Sequence, residues 1–244
     1  MLERVWPSQA ETVLDVGCNA GDTLAWAHGR GTLRLLGIDI NPAAVALAQK
    51  KLASIPGADV RHASADAMPF EDACADVVTC LEVIEHVPAS LRPAVFCELR
   101  RVLRPGGRLI LTAPHRGVFA WLDPENVRFR LPRLHARASK WAGGSGKEAG
   151  YKDQQHGVVW HEHFRIPELQ KMLPDELHVE CVFGRACLLF PLGAWFRWPF
   201  YRRGLRGHWA CRLAERAMAL DAETPYPMAL AYNLVLVARR SAAI

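Results

Sequence analysis

The sequence predicts an α/β protein built on a doubly wound, mostly parallel sheet. Three observations carry that prediction. Short apolar runs and helical runs alternate through the first 115 residues. The apolar runs are nearly continuous, as in strands covered on both faces. Glycines and aspartates cluster just after those runs, at the edge where right-handed crossovers leave room for a ligand.

The elements follow in order. "TVLDVGC" is a short apolar run with β-branched residues, a first strand. "DTLAWAHG" is one or two helical turns, ended by Gly29 and Gly31. "LRLLGIDI" is a second buried strand. "NPAAVALAQKKLASI" is a helix that Asn41 caps, with Pro42 at its first position. "ADVRHAS" and "ADVVTCLEV" are the third and fourth strands. "SLRPAVFCELRRVLRPGG" is an amphipathic helix closed by Pro-Gly-Gly. "RLILTAP" is the fifth strand. Beyond it the pattern breaks into a segment rich in Arg, His, Pro and Trp, containing the loop "GGSGKEAG". "IPELQKML" is a short helix, "LHVECVFG" a sixth strand and "MALAYNLVLVARR" a closing strand. The expected organisation is one domain over 1–244, with insertions at 116–165 and 185–225 forming a substrate lid.

Composition limits the function classes. Half of the 244 residues are hydrophobic and 23% are charged, so a full core is available and global disorder is excluded. The formal net charge of +5 does not by itself imply nucleic acid, which is not the expected partner. Basic residues crowd the later, less regular part of the chain. The seven cysteines are irregularly spaced with no CxxC pair, which fits neither a disulfide framework nor a cysteine zinc site. With no secretory pattern at the N-terminus and no apolar run of about 18 residues, the expectation is a soluble, cytoplasmic protein.

The turn "VLDVGCNAGD" decides the ligand class. A dinucleotide loop wants Gly-x-Gly-x-x-Gly, but Asn19 and Asp22 stand at its second and third glycine positions. The lysine of a phosphate loop is absent. What remains is Asp-x-Gly-x-x-x-Gly, with Asp15 near the strand end. An aspartate there repels a pyrophosphate and suits a cofactor that bears a cation. Asp39, ending the second strand, can accept both hydroxyls of a ribose. Asp66, after the third, is placed to meet an adenine amino group.

Together "VLDVGCNAGD", "GIDIN", "SADAMPFEDACADVVTCLEVIEHV" and "VLRPGGRLILTAP" resemble the class I S-adenosylmethionine-dependent methyltransferases. The resemblance covers residues 11–115 well and the last strand fairly. It implies a Rossmann-like, seven-stranded sheet with the last strand antiparallel, and S-adenosyl-L-methionine as cofactor. It also implies Asp15, Gly17, Cys18, Asn19 and Gly21 around the methionine part, and Asp39 with Ile40 at the ribose. Asp66 and Ala67 would lie near adenine, and Leu81 or Glu82 would line the pocket. Asn19 departs from the common pattern, and asparagine tolerates the left-handed backbone such a turn needs.

Transfer to a hydroxyl needs a base, and histidine is the natural one. The catalytic candidates are His86, His115, His161 and His163. The expected reaction is O-methylation of a small-molecule or glycan acceptor, in natural-product or polysaccharide biosynthesis, with no metal assigned. Two alternatives stand beside it. Glu82, Glu85 and His86, spaced i, i+3, i+4, with a distant histidine, are similar to the metal set of the small-RNA 2′-O-methyltransferases. A methyltransferase fold can also serve as a non-catalytic binding subunit. The stretch "ACLLFPLGAWFRWPFYRRGLRGHW" mixes Leu, Phe and Trp with Arg. It reads as a lid, as a homodimer surface, or as peripheral membrane or lipid-linked substrate contact through 186–211.

Overall fold

β1 (Thr12–Val16) is buried along its whole length, as a nearly unbroken apolar run requires. It lies parallel between β2 (Arg34–Asp39) and β4 (Ala75–Leu81). β3 (Ala58–His62) extends the sheet beyond β2, and β5 (Leu103–Pro114) lies parallel to β4. The computed structural model describes residues 1–123, 126, 131–141 and 162–242. The "GGSGKEAG" loop and His161 lie outside them.

Helices connect the strands. α1 (Leu2–Val5) precedes β1, α2 (Asp22–His28) follows it, and α3 (Pro42–Leu52) follows β2. Asn41 Oδ1 accepts the Ala43 N–H at 3.0 Å, the cap read from the sequence. α4 (Arg92–Val102) runs into β5. The helix was expected to be closed by Pro105-Gly106-Gly107; it ends earlier, at Val102, because Leu103 already pairs with Ala75 and the stretch from Leu103 is extended.

The later chain adds α5 (Pro132–Trp141), α6 (Ile166–Gln170), β6 (Leu177–Arg185), α7 (Leu189–Arg202), α8 (Trp209–Glu223), the two-residue β7 (Pro225–Tyr226) and β8 (Asn233–Arg240). The sheet order is β3-β2-β1-β4-β5-β8-β6-β7, a mixed eight-stranded sheet whose last strands are antiparallel. It is the expected Rossmann-like sheet of seven strands with β7 added at one edge.

The chain forms two compact units. Met1–Thr112, Ile166–Val182 and Leu236–Ile244 make the first; Ala113–Arg165 and Phe183–Val235 make the second. In the first, Asp76 anchors the start of β1 by accepting the Glu11 and Thr12 N–H groups at 3.1 and 2.8 Å, while Arg104 donates to its other oxygen. In the second, α7 and α8 pack so closely that a Cβ on Gly193 would lie 2.3 Å from Met218 Cγ. Buried Asp221 of α8 accepts the Cys187 and Phe190 N–H groups at 2.9 and 2.8 Å and the Tyr226 hydroxyl at 2.7 Å. One carboxylate thus satisfies the first turn of α7, whose own cap residue, Leu188, makes no side-chain cap bond.

Candidate functional site

Asp15 is the fourth residue of β1, in register with Gly37 of β2 and Thr79 of β4. It is buried, and Thr79 Oγ1 donates to its Oδ1 at 2.6 Å. Burial pushes its carboxyl up to about 7, against the lowering effect of hydrogen bonds from Thr79 and Thr23; the charge of Asp39 adds to the rise. A carboxyl held there welcomes a cation, whose charge repays its desolvation.

The turn after β1 needs left-handed backbone three times, at Gly17, Asn19 and Gly21, with φ of 74°, 45° and 79°. At Gly17 the need is also steric: a Cβ would lie 2.4 Å from Val83 Cγ2. Asn19 therefore occupies a position that few other side chains tolerate. Its N–H donates to Asp39 Oδ2 at 2.9 Å, while Asn41 N–H donates to Asp39 Oδ1 at 2.8 Å. Asp39 is thus oriented by two backbone donors and keeps acceptor capacity on both oxygens. Cys18 fills space beside Gly37, and burial pushes its thiol up to about 12, so it is not a nucleophile.

The other candidates of this unit stand at the neighbouring strand ends. Asp39 pairs in register with His62, whose Nε2 lies 2.9 Å from the Ile40 carbonyl. Ser64 Oγ donates to Asp66, and Ala67 N–H closes that turn on the Ser64 carbonyl. Leu81 ends β4. Glu82 adopts φ of 55°, a conformation rare for glutamate, held by its N–H against Thr112 Oγ1 at 3.0 Å and the Thr112 carbonyl at 3.2 Å. Such imposed strain concentrates at binding sites. Four partners here escaped the sequence reading: Thr23, Thr79, Val83 and Thr112.

The stretch that carries these residues has known relatives. Residues 14–111 match the family model described as a methyltransferase domain. That match and the fold support a class I S-adenosylmethionine-dependent methyltransferase domain. The chain is 36% identical over 129 residues to a ubiquinone biosynthesis O-methyltransferase of Pseudomonas paraeruginosa, a match covering 50% of this chain and 54% of that one. The chain therefore spans about half the length of the curated relatives it matches. Over almost its whole length it has the fold of an S-adenosylmethionine-dependent methyltransferase from Methanosarcina mazei (TM-score 0.58, 19% identity, 99% of this chain and 97% of that one). A [4+2]-cyclase shares the fold equally well (TM-score 0.59, 15% identity, 99% and 78%). The methyltransferase fold alone therefore does not choose a reaction.

The cofactor of this domain family is S-adenosylmethionine, and the residues present fit it. The strand ends offer carboxylates and a side-chain-free glycine turn. That donor set suits hydroxyls, an amino group and a cation, and it opposes a pyrophosphate.

The histidines separate by environment. His86 ends a 3-10 turn, Ile84–His86, in place of the expected α-helical turn; its side chain is half-exposed and lies 4.0 Å from buried Glu85. Among the described residues, no three His, Cys, Asp or Glu side chains are grouped to hold a metal, Glu82, Glu85 and His86 included. His163 is buried with both ring nitrogens engaged. Nδ1 lies 3.0 Å from the His115 carbonyl, and Nε2 lies 2.8 Å from Asp123 Oδ2, to which Asn126 also donates. That ring pins the second unit and leaves neither nitrogen for a substrate proton.

His115 differs. It is buried, and its Nδ1 faces the Ala231 carbonyl at 3.3 Å. That bond selects the tautomer with the proton on Nδ1 and the lone pair on Nε2. Nε2 has no hydrogen-bond partner among the described residues. Burial holds the imidazole below its ordinary pKa, and the charge of Arg165 adds to the effect. His163 was singled out in the sequence, but its partners Asp123 and Asn126 were not, because they sit in an irregular segment with no periodic signal.

Proposed function

We propose that this chain transfers a methyl group from S-adenosylmethionine to a hydroxyl of a small-molecule acceptor, with His115 as the general base. The observation that carries the reading is the single-tautomer His115, whose Nε2 lone pair is kept for an incoming proton. S-adenosylmethionine, when bound, supplies a methyl group already activated on a sulfonium.

The chain's own residues do the rest. Asp39, with Ile40 beside it, accepts the ribose hydroxyls. Asp66 and Ala67 meet the adenine edge, and Leu81 and Glu82 line the site. Gly17, Cys18, Asn19 and Gly21 present backbone to the methionine part, whose ammonium Asp15 attracts. His115 follows Thr112 by three residues in the chain and removes the acceptor's proton, so that the attacking oxygen carries full nucleophilicity. The buried, neutral imidazole is suited to that work near pH 7.

The acceptor class is read from the curated relative named above, an O-methyltransferase of ubiquinone biosynthesis, which favours a small hydroxylated ring over a glycan. Seven free cysteines support a reducing, cytoplasmic setting.

Two measurements test the reading. Titration calorimetry with S-adenosylhomocysteine should show binding that Asp39→Ala weakens at least about tenfold, the worth of a charge-assisted hydrogen bond or more. His115→Ala should keep that binding and lose about 10²–10⁴ in kcat on a phenolic acceptor panel. Absent cofactor binding, or a His115→Ala variant of unchanged kcat, would remove the proposal.

A further inference from the structure

We infer that α5 and the turn joining α7 to α8 form a docking surface for an anionic lipid bilayer. The surface belongs to the second unit.

α5 has two exposed faces of opposite character. Leu131, Leu134 and Trp141 recur at helical spacing, all exposed, and Trp141 reaches 70%. Arg133, Arg137 and Lys140 recur at i, i+4 and i+7 beside them, exposed as well. Arg203, after α7, joins the two parts: it donates to the Trp141 carbonyl at 2.9 Å and lies over the Trp141 ring at 4.9 Å.

The turn continues the pattern. The rings of Phe196, Phe200, His208 and Trp209 follow one another at centroid distances of 5.4, 5.2 and 5.7 Å. Phe196 is 50% exposed and Trp209 67%. Leu189, Leu192, Leu205 and Leu213 are exposed too. Exposed arginines, Arg203, Arg206 and Arg212, are interleaved with these rings.

Charge selects the occupant. Between Leu189 and Ala214 the sequence contains no aspartate or glutamate, and neither does 131–141. The nearest acid on α8, Glu215, is already held by Arg197 and the Tyr201 hydroxyl. A two-fold interface would lay this cationic patch on itself, so a second copy is disfavoured. A nucleic acid would meet the arginines but leave the leucines without hydrocarbon. A bilayer interface offers both, with arginines at phosphates and Trp and Leu at the acyl boundary. Among the described residues no helix is long and apolar enough to cross a membrane, so the surface lies on the bilayer.

Co-sedimentation of the full chain with vesicles tests this. Vesicles of phosphatidylcholine mixed with phosphatidylglycerol should pellet the protein, and added salt should release it. Phosphatidylcholine alone should retain far less. Arg203→Ala with Arg206→Ala should cut partitioning by roughly fivefold per charge. Trp209→Ser with Arg212→Ala, a second variant away from Trp141, should do likewise. Both should keep the circular dichroism spectrum and the affinity for S-adenosylhomocysteine. Three results would overturn the proposal: equal pelleting with neutral vesicles, no pelleting at all, or a concentration-dependent dimer that Trp209→Ser abolishes.

Discussion

At the scale of single residues, Asp15 and Asn19 carry the proposal that the site takes a cationic nucleoside. Asp15 has its carboxyl pushed up to about 7 by burial. Only its ionised form attracts the cofactor's ammonium, so affinity should rise as pH increases through about 7 and level off above it. Calorimetry with S-adenosylhomocysteine across that range checks the sign, and Asp15→Asn should flatten the curve. A profile falling with pH would contradict the assignment. Asn19 carries a backbone demand, with φ of 45°. Asn19→Gly should keep cofactor affinity within a few-fold, whereas Asn19→Val should disrupt it, since a β-branched residue resists that region. Equal binding by both would show that the turn tolerates any side chain. The tolerance of asparagine was legible in the sequence. The partners that set Asp15's environment were not: Thr79 lies 64 residues away in the chain, and no local pattern links the two.

At the scale of elements, periodicity and caps read well where local chemistry sets the boundary. Asn41 and Pro42 start α3 as expected. "LRPGG" marks the end of α4, but the stop falls two residues before the proline, because pairing of Leu103 with Ala75 outweighs continuation of the helix. The second insertion resisted reading for a different reason: α7 begins without a side-chain cap of its own and borrows Asp221, more than 30 residues on. That device predicts a large effect from one substitution. Asp221→Ala removes a buried acceptor shared by three donors and should cost about 2–3 kcal/mol. For a chain of this size that lowers the melting temperature by roughly 4–12 °C, measurable by calorimetry or circular dichroism. A melting temperature unchanged within error would mean that the three donors find other partners.

At the scale of the whole molecule, the alternation of strands and helices and the acids near the strand ends were readable because each is tied to a nearby element. The second unit was not, since it is assembled from two segments, Ala113–Arg165 and Phe183–Val235, separated by α6 and most of β6. The metal-dependent RNA reading belongs at this scale, since its metal set joins the 82–86 run to a histidine far along the chain. Exhaustive dialysis against EDTA should leave methyl transfer within about twofold of its starting rate, given the scale of loss that a removed catalytic metal brings. Loss of activity restored by added magnesium would reinstate the metal.

The division into two units also bears on how kinship should be interpreted. The matched family model ends at Leu111, one residue before the first unit's opening segment ends. Every residue assigned to the nucleoside falls inside that stretch. His115, the lipid-facing helices and both insertions fall outside it. A match to that family model therefore reports the cofactor half. On the proposed reading, acceptor choice rests on residues the model does not cover, so two chains that match it equally can serve different pathways. Exchanging the two insertions between relatives, with 14–111 left intact, is the natural way to move acceptor preference from one chain to another.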